Sequence, residues 1–201
     1  MNIEFEVKFL NITSNSLCEK LLELGATNTK EQTLMRRRTF DLPNKSEYKQ
    51  WVRVRDEGDK INITLKRVSN STTIDGTKEL ELSINNFDTA CQFLTECGFI
   101  PRSYQENYRE NWVLNDTVLS IDTWPALQPF LEIEGNNADS VYLVAKDLGL
   151  DNQTKYFGAV DEIYEQLLGI SKTAFNQISE LTFDNAAEIL SNFAIQPIST
   201  R

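Results

Sequence analysis

The chain contains no histidine. That absence excludes a Ser–His–Asp triad, a histidine general base and the common histidine-bearing zinc and copper sites. Cysteine is scarce: Cys18, Cys91 and Cys97 are odd in number and lack metal-site spacing. Cys18 and Cys97 fall in apolar helical patterns and are expected as reduced thiols in or near the core. Neither GxxxxGK nor GxGxxG occurs, so phosphate would have to be bound by side chains rather than by a glycine-rich loop. No apolar run approaches the length of a membrane span, and the charged first residues do not resemble a signal peptide. No membrane partner is expected, and the cytoplasm is the expected compartment. A general base, if one is used, must be a carboxylate, a lysine, a tyrosine or a metal-bound water.

What is present fits one ordinary soluble domain. The 201 residues are 40% apolar and 25% charged, enough to bury roughly two-thirds of the unfolded surface. A net charge of −10 argues against a nucleic-acid partner held by overall electrostatics. Against that background the basic clusters Arg36-Arg37-Arg38 and Arg53/Arg55 stand out.

The dominant pattern is strand-like alternation with charges sorted by sign. Glu4-Phe5-Glu6-Val7-Lys8 places Glu4, Glu6 and Lys8 on one face and Phe5, Val7 and Phe9 on the other. The pattern recurs at Arg53-Val54-Arg55, Thr64-Leu65-Lys66, Glu79-Leu80-Glu81 and Glu132-Ile133-Glu134. Solvated strand faces usually mix signs to gain cross-strand attraction. Like charges on one face repel unless a metal or a charged ligand compensates them. Carboxylate faces for a hard cation and basic faces for phosphates point to a binding tunnel inside a barrel. Oxygen-only ligands suit Mg2+ or Mn2+. The phosphate candidates are Lys8, Arg53, Arg55, Lys66 and Arg109, arginine forks being suited to phosphate oxygens. In the Arg36–Arg38 run, alternation sends either Arg37 or the pair Arg36/Arg38 inward; the pair is the expectation here.

Strands are predicted over 2–10, 32–41, 50–56, 60–68, 77–84, 104–114, 117–123 and 130–135, and helices over 14–24, 87–97, 138–148 and 161–168. Glycines close the first three of these helices. Residues 1–170 form the barrel domain. Residues 171–201 are a C-terminal helical extension of it, with Ser171 and Asp184 as candidate caps and loose last residues. Nothing in the extension looks catalytic. Packing as an appendage and contacts in a homodimer both stay open for it.

The ordered set of motifs resembles the CYTH superfamily, the triphosphate tunnel metalloenzymes. Glu4-x-Glu6-x-Lys8 is similar to its ExExK signature. Arg53-x-Arg55, Lys66, Glu79-x-Glu81, Arg109 and the segment Asp122…Phe130-Leu-Glu132-Ile-Glu134 follow in the family's order. Ile163-Tyr164-Glu-Gln-Leu-Leu168 resembles the closing helix of class IV adenylyl cyclases. The resemblance covers residues 2–168. It implies an α+β protein with an eight-stranded antiparallel barrel, its tunnel holding a triphosphate and divalent cations. By position it implies Glu4, Glu6, Asp122, Glu132 and Glu134 on the metal side, with Glu79 and Glu81 on a further acidic strand of the tunnel. Lys8, Arg53, Arg55, Lys66 and Arg109 would serve the phosphates. The leading activity it implies is adenylyl cyclase-like, ATP to cyclic AMP and pyrophosphate. The alternatives are hydrolysis of tripolyphosphate, thiamine triphosphate or a nucleoside triphosphate, and a non-catalytic polyphosphate-binding barrel.

Overall fold

The structure is a computed structural model that describes residues 1–44 and 46–193. The end of the predicted extension, 194–201, lies outside the described residues. Eight antiparallel strands close on themselves in the order β2-β3-β4-β5-β1-β8-β7-β6, with β6 pairing back to β2. They are β1 (Asn2–Phe9), β2 (Thr27–Asp41), β3 (Lys49–Asp56), β4 (Ile61–Val68), β5 (Thr77–Ile84), β6 (Ile100–Leu114), β7 (Thr117–Thr123) and β8 (Phe130–Gly135). A two-residue strand, β9 (Glu180–Leu181), pairs parallel to β6 at Tyr104 and Gln105. The long strands β2 and β6 begin earlier than predicted, at Thr27 and Ile100. Their first residues are polar or exposed and carry little alternation, and their mutual pairing runs from Thr27↔Val113 to Asp41↔Ile100.

The barrel is apolar outside and polar inside. On β1, Val7 and Phe9 face outward and are fully buried under helices, whereas Glu4 and Lys8 face inward. The helices α1 (Ser14–Glu23) and α3 (Ala138–Asp147) cover β1, β7 and β8 through Leu17, Leu21, Val141 and Val144. Each such buried aliphatic contributes roughly 1.5–3 kcal/mol. The helix α2 (Phe87–Glu96) covers Phe40, Val52 and Val54 with Phe87, Ala90 and Leu94. Asn86 and Asn137 cap α2 and α3 by accepting from the backbone N–H of Thr89 and Ser140. Gly149, at φ +77°, permits the chain reversal after α3. Of the thiols, Cys18 lies beside the core under α1 and α3 and Cys91 beside the core under α2, but Cys97 is exposed at the end of α2, against expectation.

Residues 160–190 pack over one end of the barrel. Helices α4 (Val160–Leu168) and α5 (Lys172–Phe175) join Leu10, Trp124, Leu127 and Phe130 in a separate apolar cluster through Ile163, Tyr164 and Phe175. The Tyr164 hydroxyl donates to the carbonyl of Pro125 at 2.6 Å. Ser171 caps α5, accepting from the N–H of Ala174. The last helix, α6 (Ala186–Ser191), starts from Asn185 rather than from the predicted Asp184, because Asn185 and Thr182 exchange hydrogen bonds ahead of it. No described helix is long and apolar enough to cross a membrane.

Candidate active site

The inward faces enclose a cavity of about 200 Å3. Its wall divides by sign along the strand order. The contiguous strands β5, β1 and β8 contribute Glu79, Glu4, Glu6, Glu132 and Glu134, and the contiguous strands β6, β2 and β3 contribute Arg109, Arg37, Arg53 and Arg55. Lys8 and Lys66 also line it, as does Asp122 on β7. The register explains the sorting: Glu6 stands opposite Glu134 and Lys8 opposite Glu132 across β1–β8, and Arg37 opposite Arg55 across β2–β3.

Carboxylates compensate most of the cations. Lys8 bridges Glu6 and Glu132, the latter at 3.5 Å, and donates to the carbonyl of Gly158 at 2.8 Å. Lys66 donates to both oxygens of Glu4, at 2.7 and 2.9 Å, and lies 3.3 Å from Glu79. Arg109 donates to Asp122 through Nε at 2.7 Å and to Glu132 at 3.0 Å. Arg55 pairs with Glu57, which is buried at the closed β3–β4 end. Arg37 and Arg53 have no carboxylate within the 4.0 Å ion-pair limit among the described residues. Burial and the neighbouring Arg55 push the Arg53 guanidinium down to about 10.

Two groups of three carboxylates could each hold a cation: Glu4/Glu79/Glu134 and Glu6/Glu132/Glu134, with oxygens of each group within 4.8 Å of one another. Glu134 belongs to both. Burial and then the charges of Glu4 and Glu132 raise its carboxyl to about 7. Glu132, beside Arg109 and Lys8, is instead held well below the usual carboxylate range. An all-oxygen donor set whose shared member resists ionisation without a cation fits Mg2+ or Mn2+.

Three sequence expectations are corrected by this geometry. Arg36 and Arg38 point outward: Arg36 pairs with Asp56 at 3.1 Å over the Phe87 ring, and Arg38 lies over Tyr104. Arg37 is the inward residue. The signal was legible, since Arg36, Arg38 and Phe40 share one face and Phe40 belongs with the apolar outer surface. Asp122 joins neither carboxylate group; β7 runs beside the basic strand β6, so Asp122 stands opposite Arg109 and is engaged by it and by Asn107 at 3.0 Å. Glu81 is exposed and accepts from Thr64 at 3.1 Å, away from both carboxylate groups and from the cavity wall. The sequence reading missed Asn107, Glu57 and the covering segment. That segment brings Gly158, Ala159, Val160, Asp161, Phe175 and Asn176 to the cavity and is tied down by Lys49–Asp161 at 3.6 Å and Asn176–Asp161 at 3.1 Å. Apart from the C-terminal glycine and helix pattern, nothing in its sequence marks it as part of a site.

The CYTH domain profile matches residues 2–155, the stretch that supplies the charged wall apart from Asp161. The chain belongs to the CYTH family. Proteins of this family are metal-dependent and take triphosphates in general. No curated protein sequence matches the chain. Solved structures do. PH1012 from Pyrococcus horikoshii is 24% identical, covering 76% of this chain and 94% of its own, at TM-score 0.64. A Vibrio parahaemolyticus protein provisionally named an adenylate cyclase is 12% identical over 82% of this chain and 98% of its own, at TM-score 0.68. HpAC1 from Hippeastrum, named for an adenylyl cyclase but described with a dominant triphosphatase activity, is 14% identical over 82% and 94%, at TM-score 0.54. At these identities the likeness shows that the CYTH barrel is shared.

The raised Glu134 carboxyl has a measurable consequence. Between its usual value of 4.5 and about 7, the folded protein holds a proton that the unfolded chain has released. This contribution to stability is therefore fully present below the lower value and is lost as pH rises through the upper one. Metal-free protein is expected to melt a few degrees lower at pH 8 than at pH 6, and millimolar Mg2+ or Mn2+ to remove that difference. Identical pH profiles with and without metal would refute the carboxylate grouping.

Proposed function

We propose that the protein is a divalent-metal-dependent triphosphatase acting on a bare polyphosphate, with inorganic tripolyphosphate as the preferred substrate. The observation that carries this reading is the charge-lined barrel cavity of about 200 Å3. Sites for drug-sized organic ligands span about 300–1,000 Å3. Cyclisation of ATP requires the ribose and the base to be held at one end of the tunnel, and the covering segment occupies the end where Trp124 lies. Trp124, the aromatic best placed in sequence to stack on a base, is 3% exposed, and the Arg37 guanidinium lies 4.4 Å from its ring centre. Both observations favour hydrolysis over cyclisation.

Chemically, water attacks the terminal phosphorus, the bridging P–O bond breaks, and orthophosphate and pyrophosphate leave. Cations held by Glu4/Glu79/Glu134 and Glu6/Glu132/Glu134 would supply charge neutralisation at the phosphoryl oxygens and a more acidic water. The chain's own cations hold and orient the substrate. Arg53 and Arg55 aim guanidinium donors across the tunnel at charge that builds up on the transferred and leaving oxygens. Lys8 and Lys66 lie along the carboxylates, where they limit repulsion in the empty tunnel and offer donors to an arriving phosphate. The covering segment lines part of the cavity and lowers its exposure to water, which strengthens these interactions.

The test is a product analysis with Mg2+ or Mn2+ on tripolyphosphate, ATP and thiamine triphosphate, resolving orthophosphate, pyrophosphate and cyclic AMP. Orthophosphate from tripolyphosphate without cyclic AMP from ATP is expected. Cyclic AMP and pyrophosphate from ATP would replace this reading with the cyclase one. Binding without turnover of any of the three would make the barrel a polyphosphate binder.

A further inference from the structure

Arg37 lies on β2, four strands from the ExExK strand β1 in either direction round the barrel. Its side chain is 7% exposed, and its Nε has no hydrogen-bond partner. One Nη donates to Asn107 Oδ1, and the guanidinium plane packs over Trp124. The charges that act on it most strongly are cations: Arg53, then Arg55, then Arg109. Burial and these three neighbours all work against its ionised form, and Asp122 is the acid that offsets them. Lys8, Lys66, Arg55 and Arg109 each have a carboxylate partner of their own. Arg37 and Arg53 do not. A buried cation pair with no carboxylate in direct contact is costly unless an anion arrives to meet it.

We propose that Arg37 is a selectivity residue which, with Arg53, takes the phosphoryl group remote from the carboxylate strands, so that the tunnel prefers three linked phosphates to two. The inference rests on the tunnel being a polyphosphate site. An anion held by cations at Glu4, Glu6 and Glu134 must cross the barrel to reach Arg37, and a longer phosphate chain does so better than pyrophosphate. Asn107 holds the guanidinium from one side and Trp124 from its face, and Arg37 lines the cavity with its buried Nε unpartnered. The indole Nε1–H of Trp124 is itself without a partner, so its ring serves as a platform rather than as a hydrogen-bonded anchor.

The test is calorimetric titration of the full chain, without metal and with Mg2+, using tripolyphosphate and pyrophosphate as probes on wild type, Arg37→Gln, Arg37→Lys and Arg53→Gln. Arg37→Gln is expected to weaken tripolyphosphate binding about 10- to 100-fold and pyrophosphate binding much less. Arg37→Lys should recover part of the preference. The ligand-free melting temperature of Arg37→Gln should not fall below that of wild type, because the charge removed is opposed by three others. Equal weakening for both probes, or a destabilised Arg37→Gln with an unchanged preference, would mean that Arg37 only packs against Trp124, and would overturn the proposal. If Arg53→Gln loses binding while Arg37→Gln does not, the selectivity role fails and the polyphosphate tunnel stands. If wild type binds neither probe, the tunnel reading fails and takes this inference with it.

Discussion

Glu134→Gln is expected to abolish metal-dependent turnover, lowering kcat/KM by about 10³-fold or more, since a metal's charge stabilisation of the transition state is worth several kcal/mol. Glu134 is the one carboxylate common to both three-acid groups. It forms no ion pair with any described cation, unlike Glu4, Glu6 and Glu132. Its removal therefore strands no buried cation. The metal-free variant should in fact melt higher than wild type at pH 8, because the burial of a charge and the repulsion from Glu4 and Glu132 that raise the wild-type carboxyl to about 7 are gone. Loss of activity with a gain in metal-free stability distinguishes a ligand from a structural residue. A variant that remains active, or that loses activity only because it unfolds, would contradict the assignment. Calorimetry with Mn2+ and thermal melts on the same preparations supply the measurements.

The two arginines of Arg53-x-Arg55 should separate. Arg53→Ala is expected to cost about 10²–10³ in kcat/KM, the usual loss for one aimed electrostatic donor, with little change in stability. Its guanidinium makes one hydrogen bond, to Thr64 at 3.4 Å, and has no acid to leave behind. Arg55→Ala should also lose activity, but it additionally strands Glu57, which is 2% exposed and among the described residues has only Lys60, at 3.5 Å, as a second ion-pair partner. Removing one member of such a buried pair lowers melting on the order of 5–10 °C. Lys20→Ala, whose exposed ammonium meets Glu23 at 3.4 Å, should be near neutral in both assays. Steady-state kinetics with tripolyphosphate and scanning calorimetry check all three. Equal stability losses at Arg53 and Arg55 would mean that the Glu57 pairing is misassigned.

Much of the barrel was legible because its chemistry has period two. A strand that carries Glu4, Glu6 and Lys8 on one face and Val7 and Phe9 on the other has only one way to bury the apolar face, under helices, and that sends the charges inward. The same argument covers Arg53/Arg55, Lys66, Glu79 and Glu132/Glu134, all of which line the cavity. Helix ends were legible where a glycine stop stood in the sequence.

What the sequence alone determined was thus which residues share a face and which sign each face carries. Alternation has no information about the far side of the barrel. Which of Arg36, Arg37 and Arg38 enters was decided by the registers of β2 against β3 and β6 and by Phe40 docking on α2. Asp122 sits among acidic motifs in sequence order, yet closure of the barrel sets β7 beside β6 and hands it to Arg109. The covering segment contacts the tunnel through Phe175 and Asn176 although it follows the last barrel strand by some forty residues. Pairing and docking of this kind are long-range: they depend on which surfaces meet when the sheet closes, and no local spacing encodes that.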